Sequence, residues 1–407
     1  MKDRARAAIA TCRLIATMSE EPGRTTRRFL TPPMHEVHFL LRTRMEELGM
    51  SVSMDALGNL RGVHRPTTAG PKSLLMGSHI DTVPNAGAFD GVLGVVLSLE
   101  WVALARELAL PLAIEVIAFS EEEGVRFGVP FLGSRAVAGR FDEALLALTD
   151  AQGMSLEAAI CAFGLDPKGI GAAALDEHYL GFVEIHIEQG PVLEAEGLQV
   201  AVVAAIVGQS RLDLSFKGQS NHAGTTPMHL RRDALAAACE WITAVEELAQ
   251  RTEELVATVG KLHVEPNAGN VIPGMVRLSL DLRHTRDAVR AVALKTLLDR
   301  AVAIANRRGI EFESTTKLEH PAVPMDERLS ACLADALQAA GFPRKEMPSG
   351  AGHDAMVMAT RWPTAMLFLR SPGGVSHHPD ETVLEEDVEA ALRVGSVFLL
   401  RLSQQIG

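Results

Sequence analysis

Aromatic side chains are scarce in this chain: they make up 4% of 407 residues, with one tyrosine and three tryptophans. Stacking surfaces for unpaired bases need several aromatics, so single-stranded nucleic acid is not an expected ligand. Positive charge is also short. Lys and Arg number 39 against 51 Asp and Glu, for a net charge of −12 and a pI near 5.6. That balance argues against a nucleic-acid or anionic-membrane partner. Cysteine is sparse: Cys12, Cys161, Cys239 and Cys332 lie far apart with no Cys-x-x-Cys pair. They read as reduced, mostly buried thiols of a cytoplasmic protein, without a structural zinc knuckle. No long apolar run is uninterrupted. The most apolar stretch, Val92 to Phe119, carries Glu100, Arg106, Glu107 and Glu115, which excludes a membrane span. Near the N-terminus the apolar stretch is broken at Arg13, so no signal-peptide core is expected.

Hydrophobic residues at 47% and charged residues at 22% fit a globular protein with a substantial core. Residues 2–18 and 35–49 read as amphipathic helices, the second stopped by Gly49. Residues 51–61 read as a hairpin turning at Leu57-Gly-Asn59. Apolar strands are expected at 72–76, 112–119, 182–187 and 364–369, with a helix over 91–108. Alternating apolar strands and helices predict an α/β fold with a doubly wound, mostly parallel sheet. Between residues 209 and 323 the pattern changes. Strands are expected at 211–217, 255–264, 275–283 and 311–315, with helices at about 229–249 and 286–308. This β-α-β-β-α-β order predicts an inserted α+β domain of ferredoxin-like type. The expected division is therefore 1–208 and 324–407 for the catalytic domain, and 209–323 for the insert.

Four polar clusters follow the apolar strands of the larger domain. They are Gly77-Ser-His-Ile-Asp-Thr-Val-Pro84 with Phe89-Asp-Gly91, then Glu121-Glu-Glu-Gly124, His186-Ile-Glu-Gln-Gly190 and Ser376-His-His-Pro379. Imidazoles and carboxylates on short turns at strand ends suit divalent metals, and α/β sheets bind ligands at those ends. Two ions about 3.5–4 Å apart need a bridging carboxylate and terminal ligands on either side. Asp90 is the natural bridge, with His79 and His186 on one ion and Glu123 and His377 on the other. Asp81, two residues past His79, is expected to orient that imidazole. Adjacent residues on a turn point in different directions, so Glu122 is assigned as general acid/base beside the ligand Glu123. In the insert, His222 sits on a Gly-flanked loop. Arg283 is suited to grip a carboxylate bidentately, and Asn270 to bond a carbonyl or the same carboxylate.

These segments resemble the M20 metallopeptidase superfamily, and within it the amidase/hydantoinase/carbamoylase branch. The resemblance rests on GSHIDTVPNAGAFDGVLGV, EEEGVRFGVPFLGSRAVAG, HIEQGPVLE, GQSNHAGTTPM, NVIPG, SGAGHDA and GGVSHHPDE, in family order from about residue 77 to 381. HIEQG and SGAGHDA are the branch-specific motifs. The resemblance implies a binuclear metal enzyme, typically a homodimer using Mn²⁺, Zn²⁺, Co²⁺ or Ni²⁺. It supports the five ligands and the base named above, with Ser-His-x-Pro selecting His377 over His378. It further implies that Gln189, His222, Asn270, Arg283 and Gly350-Ala-Gly352 meet the substrate, with the insert acting as lid and dimerisation domain. His222 is expected to reach the partner subunit's active site.

Branch members hydrolyse ureido C–N bonds and include N-carbamoyl-L-amino acid hydrolases, β-ureidopropionases and allantoate amidohydrolases. The implied reaction has Glu122 activating a water that attacks the ureido carbonyl, His222 stabilising the oxyanion, and ammonia leaving. Segments 109–139 and 369–381 look most similar to allantoate amidohydrolase-type sequences, which would place the chain in purine breakdown. An N-carbamoyl-L-amino acid hydrolase is the nearer alternative, and a dipeptidase or aminoacylase on the same scaffold the more distant one.

Overall fold

The computed structural model describes residues 1–176 and 178–406. It divides into two compact units: Met1–Ala204 with Met325–Gly407, and Ala205–Pro324.

In the larger unit the strands lie in the order Ser51–Met54, Leu60–His64, Ala113–Phe119, Ser73–His79, Tyr179–Ile187, Thr364–Leu369 and Val200–Ile206. The four from Ala113–Phe119 to Thr364–Leu369 run parallel. Both flanks pair antiparallel, so the parallel part of the sheet is its centre. Every residue of Ser73–His79, Ala113–Phe119 and Thr364–Leu369 is buried. Strands covered on both faces have no polar side to present, which is why they read as continuous apolar runs.

Helices Lys2–Ala16, Val92–Glu107 and Glu385–Ile406 pack on one another, and Val92–Glu107 also lies against Ser73–His79 and Tyr179–Ile187. Helix Pro33–Glu47 ends before Gly49, whose φ of +67° is the left-handed conformation that suits glycine. From Ser73–His79 the chain crosses through Val92–Glu107 to a neighbour on one side, Ala113–Phe119. It later returns on the other side as Tyr179–Ile187. The winding therefore reverses at Ser73–His79, and the carboxyl ends of these strands frame the crevice such a reversal leaves.

The smaller unit has the element order expected of it. Its strands form an antiparallel sheet ordered Glu311–His320, Gly208–Lys217, Met275–His284 and Val256–Thr258, with Leu262–Glu265 also on Met275–His284. Leu212, Leu214 and Phe216 alternate inward to meet Trp241, Leu280 and Leu297. Three boundaries differ from expectation. The first helix, Ala234–Arg251, starts late because the Asp233 carboxylate caps it, accepting the Ala236 N–H at 3.0 Å. The single strand expected at 255–264 is two short pieces with Gly260 between them. The last strand runs on to His320, with a register shift between Thr316 and Leu318.

Candidate metal centre

His79 is the last residue of its strand, and His186 is the next to last of the neighbouring parallel strand. Their Nε2 atoms are 3.5 Å apart. Asp90 comes from the turn before helix Val92–Glu107. Gly91 is required there: a Cβ would fall 2.5 Å from atoms of the His79 ring. Asp90 Oδ1 lies 3.8 Å from His79 Nε2 and 3.3 Å from His186 Nε2, while Oδ2 lies 3.2 Å from His377 Nε2. Glu123 Oε1 lies 3.5 Å from the same His377 atom. Potential ligand atoms thus fall into two groups, His79–Asp90–His186 and Asp90–Glu123–His377, which share Asp90. A third group, His79–Glu122–Glu123, brings in Glu122, and a fourth joins Glu184 and His353 to His186. All six sequence-assigned residues converge.

The sites are held by short-range contacts. His79 Nδ1 meets the Asp81 carbonyl at 3.0 Å and His186 Nδ1 the Ile187 carbonyl at 2.9 Å, so each Nε2 is turned toward Asp90. Asp81 meets His79 through its backbone carbonyl, while its carboxylate stands 3.8 Å off. That carboxylate instead accepts the Glu122 N–H at 3.0 Å and the Glu123 N–H at 3.1 Å. It fixes the turn carrying Glu122 and Glu123. Glu121, Gln189 and His377 all have left-handed backbones, with φ of +53°, +58° and +55°. Non-glycine residues in that region cost on the order of 1–3 kcal/mol each, and they cluster where a site demands them.

Burial, followed by Glu123, Asp354, Asp81 and Asp90, pushes the Glu122 carboxyl well up. Burial and Asp90 push Glu123 up to about 7 against the pull of His79 and His377. Burial opposes charge on Asp90, but His377, His186 and His79 hold its carboxyl well below the usual range. Burial likewise opposes charge on His79, yet Asp81, Asp90 and Glu123 raise it to about 9. Burial drives His186 down to about 4. So much buried acid at close quarters is what a divalent cation would relieve, and mixed imidazole and carboxylate donors fit Mn²⁺ or Zn²⁺.

Gln189 joins the centre: its Nε2 donates to Asp90 Oδ1 and Oδ2 at 3.2 and 3.1 Å, and its Oε1 is buried without a hydrogen-bond partner. Gly352 packs beside Phe131 and Met356. Three groups escaped the sequence reading. The His353 ring stands edge-on to His186 at 4.4 Å, and its Nε2 meets Ser349 Oγ at 2.9 Å. Asp354 is fully buried, and burial beside Glu184 pushes its carboxyl well up. Glu381 accepts from the Phe89 and Asp90 backbones. Their one signal was position: the first two lie within the motif SGAGHDA, and Glu381 closes GGVSHHPDE.

In the smaller unit, His222 Nδ1 accepts the Gly224 and Thr225 N–H groups at 3.0 and 3.2 Å. The imidazole proton is therefore on Nε2, an exposed donor. The Asn270 carbonyl accepts the Ala223 N–H at 3.0 Å, which ties the two loops together. Arg283 donates Nε and Nη2 to the two oxygens of Asp281, both at 2.9 Å. Despite burial, Arg283, Gln209 and Arg211 bring the Asp281 carboxyl down to about 2. Arg283 does not share a place with Asn270. Met275 pairs with Lys217 and Arg283 with Gln209, at opposite ends of one ladder. At ~3.3 Å per residue those ends are roughly 26 Å apart.

The imidazoles and carboxylates gathered at the strand ends suit the metal site of a hydrolase. Residues 75–401 match the model of peptidase family M20/M25/M40, and the chain belongs to that family. It is 40% identical over 375 residues to an N-carbamoyl-L-amino acid amidohydrolase of Geobacillus stearothermophilus, covering 91% of this chain and 92% of that one. It is 37% identical over 420 residues to an allantoate deiminase of Arabidopsis thaliana, covering 94% and 80%. Among solved structures, an amidase of the hydantoinase/carbamoylase family from Burkholderia multivorans superposes with a TM-score of 0.91 at 32% identity, covering 98% and 97%. Among the described residues no helix is long and apolar enough to cross a membrane.

Proposed function

We propose that this chain binds two divalent ions and hydrolyses the ureido C–N bond of a small carboxylate-bearing substrate, releasing ammonia, with allantoate as the first candidate. The observation that carries this reading is Asp90, whose two oxygens face different ligand sets: His79 and His186 on one side, His377 beside Glu123 on the other. Bound Mn²⁺ or Zn²⁺, with Co²⁺ or Ni²⁺ as alternatives, would supply Lewis acidity and a water able to ionise near neutral pH.

Glu122 would take a proton from the attacking water as its oxygen adds to the ureido carbonyl carbon, and give that proton to the nitrogen as the C–N bond breaks and ammonia leaves. Burial and neighbouring carboxylates raise its affinity for a proton in the metal-free protein, and cations bound beside it would lower that affinity toward the range a base needs. Asp81 holds the backbone of this base in place. Gln189 and Gly352 line the substrate's path. His222 donates its Nε2–H to the developing oxyanion, and Arg283 and Asn270 bind substrate polar groups, Arg283 the carboxylate.

The smaller unit acts as lid and dimerisation domain in this reading. What supports a homodimer is the ladder in that unit. Arg283 and Asn270 of one chain are too far apart to meet one small substrate, whereas those of two chains are under no such limit. His222 and Asn270 would then come from the partner, and Arg283 from the chain that carries the metal ligands.

The second reading is an N-carbamoyl-L-amino acid hydrolase, favoured by the 40% identity to such an enzyme. Comparing ammonia release from allantoate and from a set of N-carbamoyl-L-amino acids, with Mn²⁺-loaded protein, separates the two. Release from neither, with amino acids freed from dipeptides or N-acyl amino acids, would replace both with a peptidase-type activity.

A further inference from the structure

We infer that Glu381 is a positioning residue that locks the bridging Asp90 to the His377 loop, and so sets metal affinity from behind the centre. The inference rests on the two-ion reading above.

Glu381 is 4% exposed. Its Oε1 accepts two successive backbone N–H groups, from Phe89 at 3.1 Å and from Asp90 at 3.0 Å. Its Oε2 takes the Ser376 hydroxyl at 3.1 Å, and that hydroxyl oxygen in turn accepts from Gln189 Nε2 at 3.2 Å. The Glu381 N–H closes the loop onto the His378 carbonyl at 3.0 Å. One carboxylate therefore holds the backbone of Asp90 and the residue before His377, whose own backbone is left-handed.

Two features of the surroundings show that the fit is specific. Helix Val92–Glu107 follows Asp90 directly, yet Gly91 offers no side-chain cap and its first turn has no acid. Glu381 brings a carboxylate to this start from nearly 300 residues away in sequence, where the helix dipole favours negative charge. Gly87 packs flat against Glu381, and a Cβ there would lie 2.4 Å from the Glu381 Cβ. That glycine has no positive φ, so its smallness serves this contact and not a turn.

The test is Zn²⁺ binding to metal-stripped full-length protein, measured by competition with a chelating dye alongside circular dichroism. Glu381→Ala is expected to weaken Zn²⁺ binding about 10–100-fold, as outer-shell partners of metal ligands do. Glu381→Gln keeps an acceptor for the two N–H groups and is expected to recover most of that loss. Gly87→Ala is expected to weaken binding in the same direction without removing any polar group, and it decides the matter if Glu381→Ala does not fold. A folded Glu381→Ala or Gly87→Ala protein with wild-type Zn²⁺ affinity overturns the inference. Wild-type protein that binds no Zn²⁺ overturns the two-ion reading, and this inference with it.

Discussion

Replacing Glu122 with glutamine separates the base from the ligand beside it. Glu122 and Glu123 are neighbours on one turn, and each can offer an oxygen to a cation together with His79. Glu123 is taken as the ligand because His377 Nε2 stands 3.5 Å from its Oε1. A glutamine side chain at this position would be nearly isosteric with the protonated acid that burial and four neighbouring carboxylates favour there. The fold should therefore change by no more than about 1 kcal/mol. Removing the proton acceptor should lower kcat about 10²–10⁴-fold, or roughly 3–5 kcal/mol of transition-state stabilisation. Ammonia release gives kcat, and inductively coupled plasma spectrometry of the same preparation counts ions. Glu122→Gln should keep both ions, whereas Glu123→Gln should lose one. The reasoning is refuted if Glu122→Gln loses an ion while Glu123→Gln keeps both, or if Glu122→Gln turns over within tenfold of wild type.

Subunit mixing tests the proposal that the site is shared between two chains. Two inactive variants, Glu122→Gln and His222→Ala, should regain about a quarter of wild-type activity when unfolded and refolded together, because half the random dimers carry one intact site; no recovery would confine each site to one chain. Asp281→Asn should raise KM several-fold by releasing Arg283, with kcat less affected, and unchanged steady-state constants would remove Arg283 from the substrate. Metal removal should make stability fall as pH rises. Burial first, then neighbouring acid, raises Glu121 to about 8 and Glu123 to about 7. Their contribution is complete below the unfolded value and is lost as pH climbs through 7 to 8. The slope is about 1.4 kcal/mol per pH unit for each carboxyl protonated only in the folded state. Thermal melts of metal-free protein from pH 5 to 8 should show this fall, and metal-loaded protein should not.

The clustering of these imidazoles and carboxylates was legible in the sequence because the residues come directly after apolar strands. A strand buried on both faces must end where polar residues begin, and in a parallel sheet those ends lie together. The same logic carried the element order of the smaller unit, where Leu212, Leu214 and Phe216 alternate with Arg211, Asp213 and Ser215. The remainder depends on tertiary neighbours. Asp81 sits where either its carbonyl or its carboxylate could meet His79, and only the Glu122 turn decides which. Glu381 looks like one more acid in a surface loop until Phe89 and Asp90 bring their N–H groups to it. Residues 120–176 include short helices such as Leu132–Val137 and Leu156–Ala162, too brief for periodicity to reveal. The distance between Asn270 and Arg283 required the strand register, which no pattern of residue types contains.

The most direct test of the central claim is to titrate metal-stripped wild-type protein with Mn²⁺ while following ammonia release from a ureido acid in the same sample. Two ions should bind per chain, with turnover reaching its plateau only as both places fill. Full activity at one ion per chain, or two bound ions with no ammonia from any ureido acid, would contradict it.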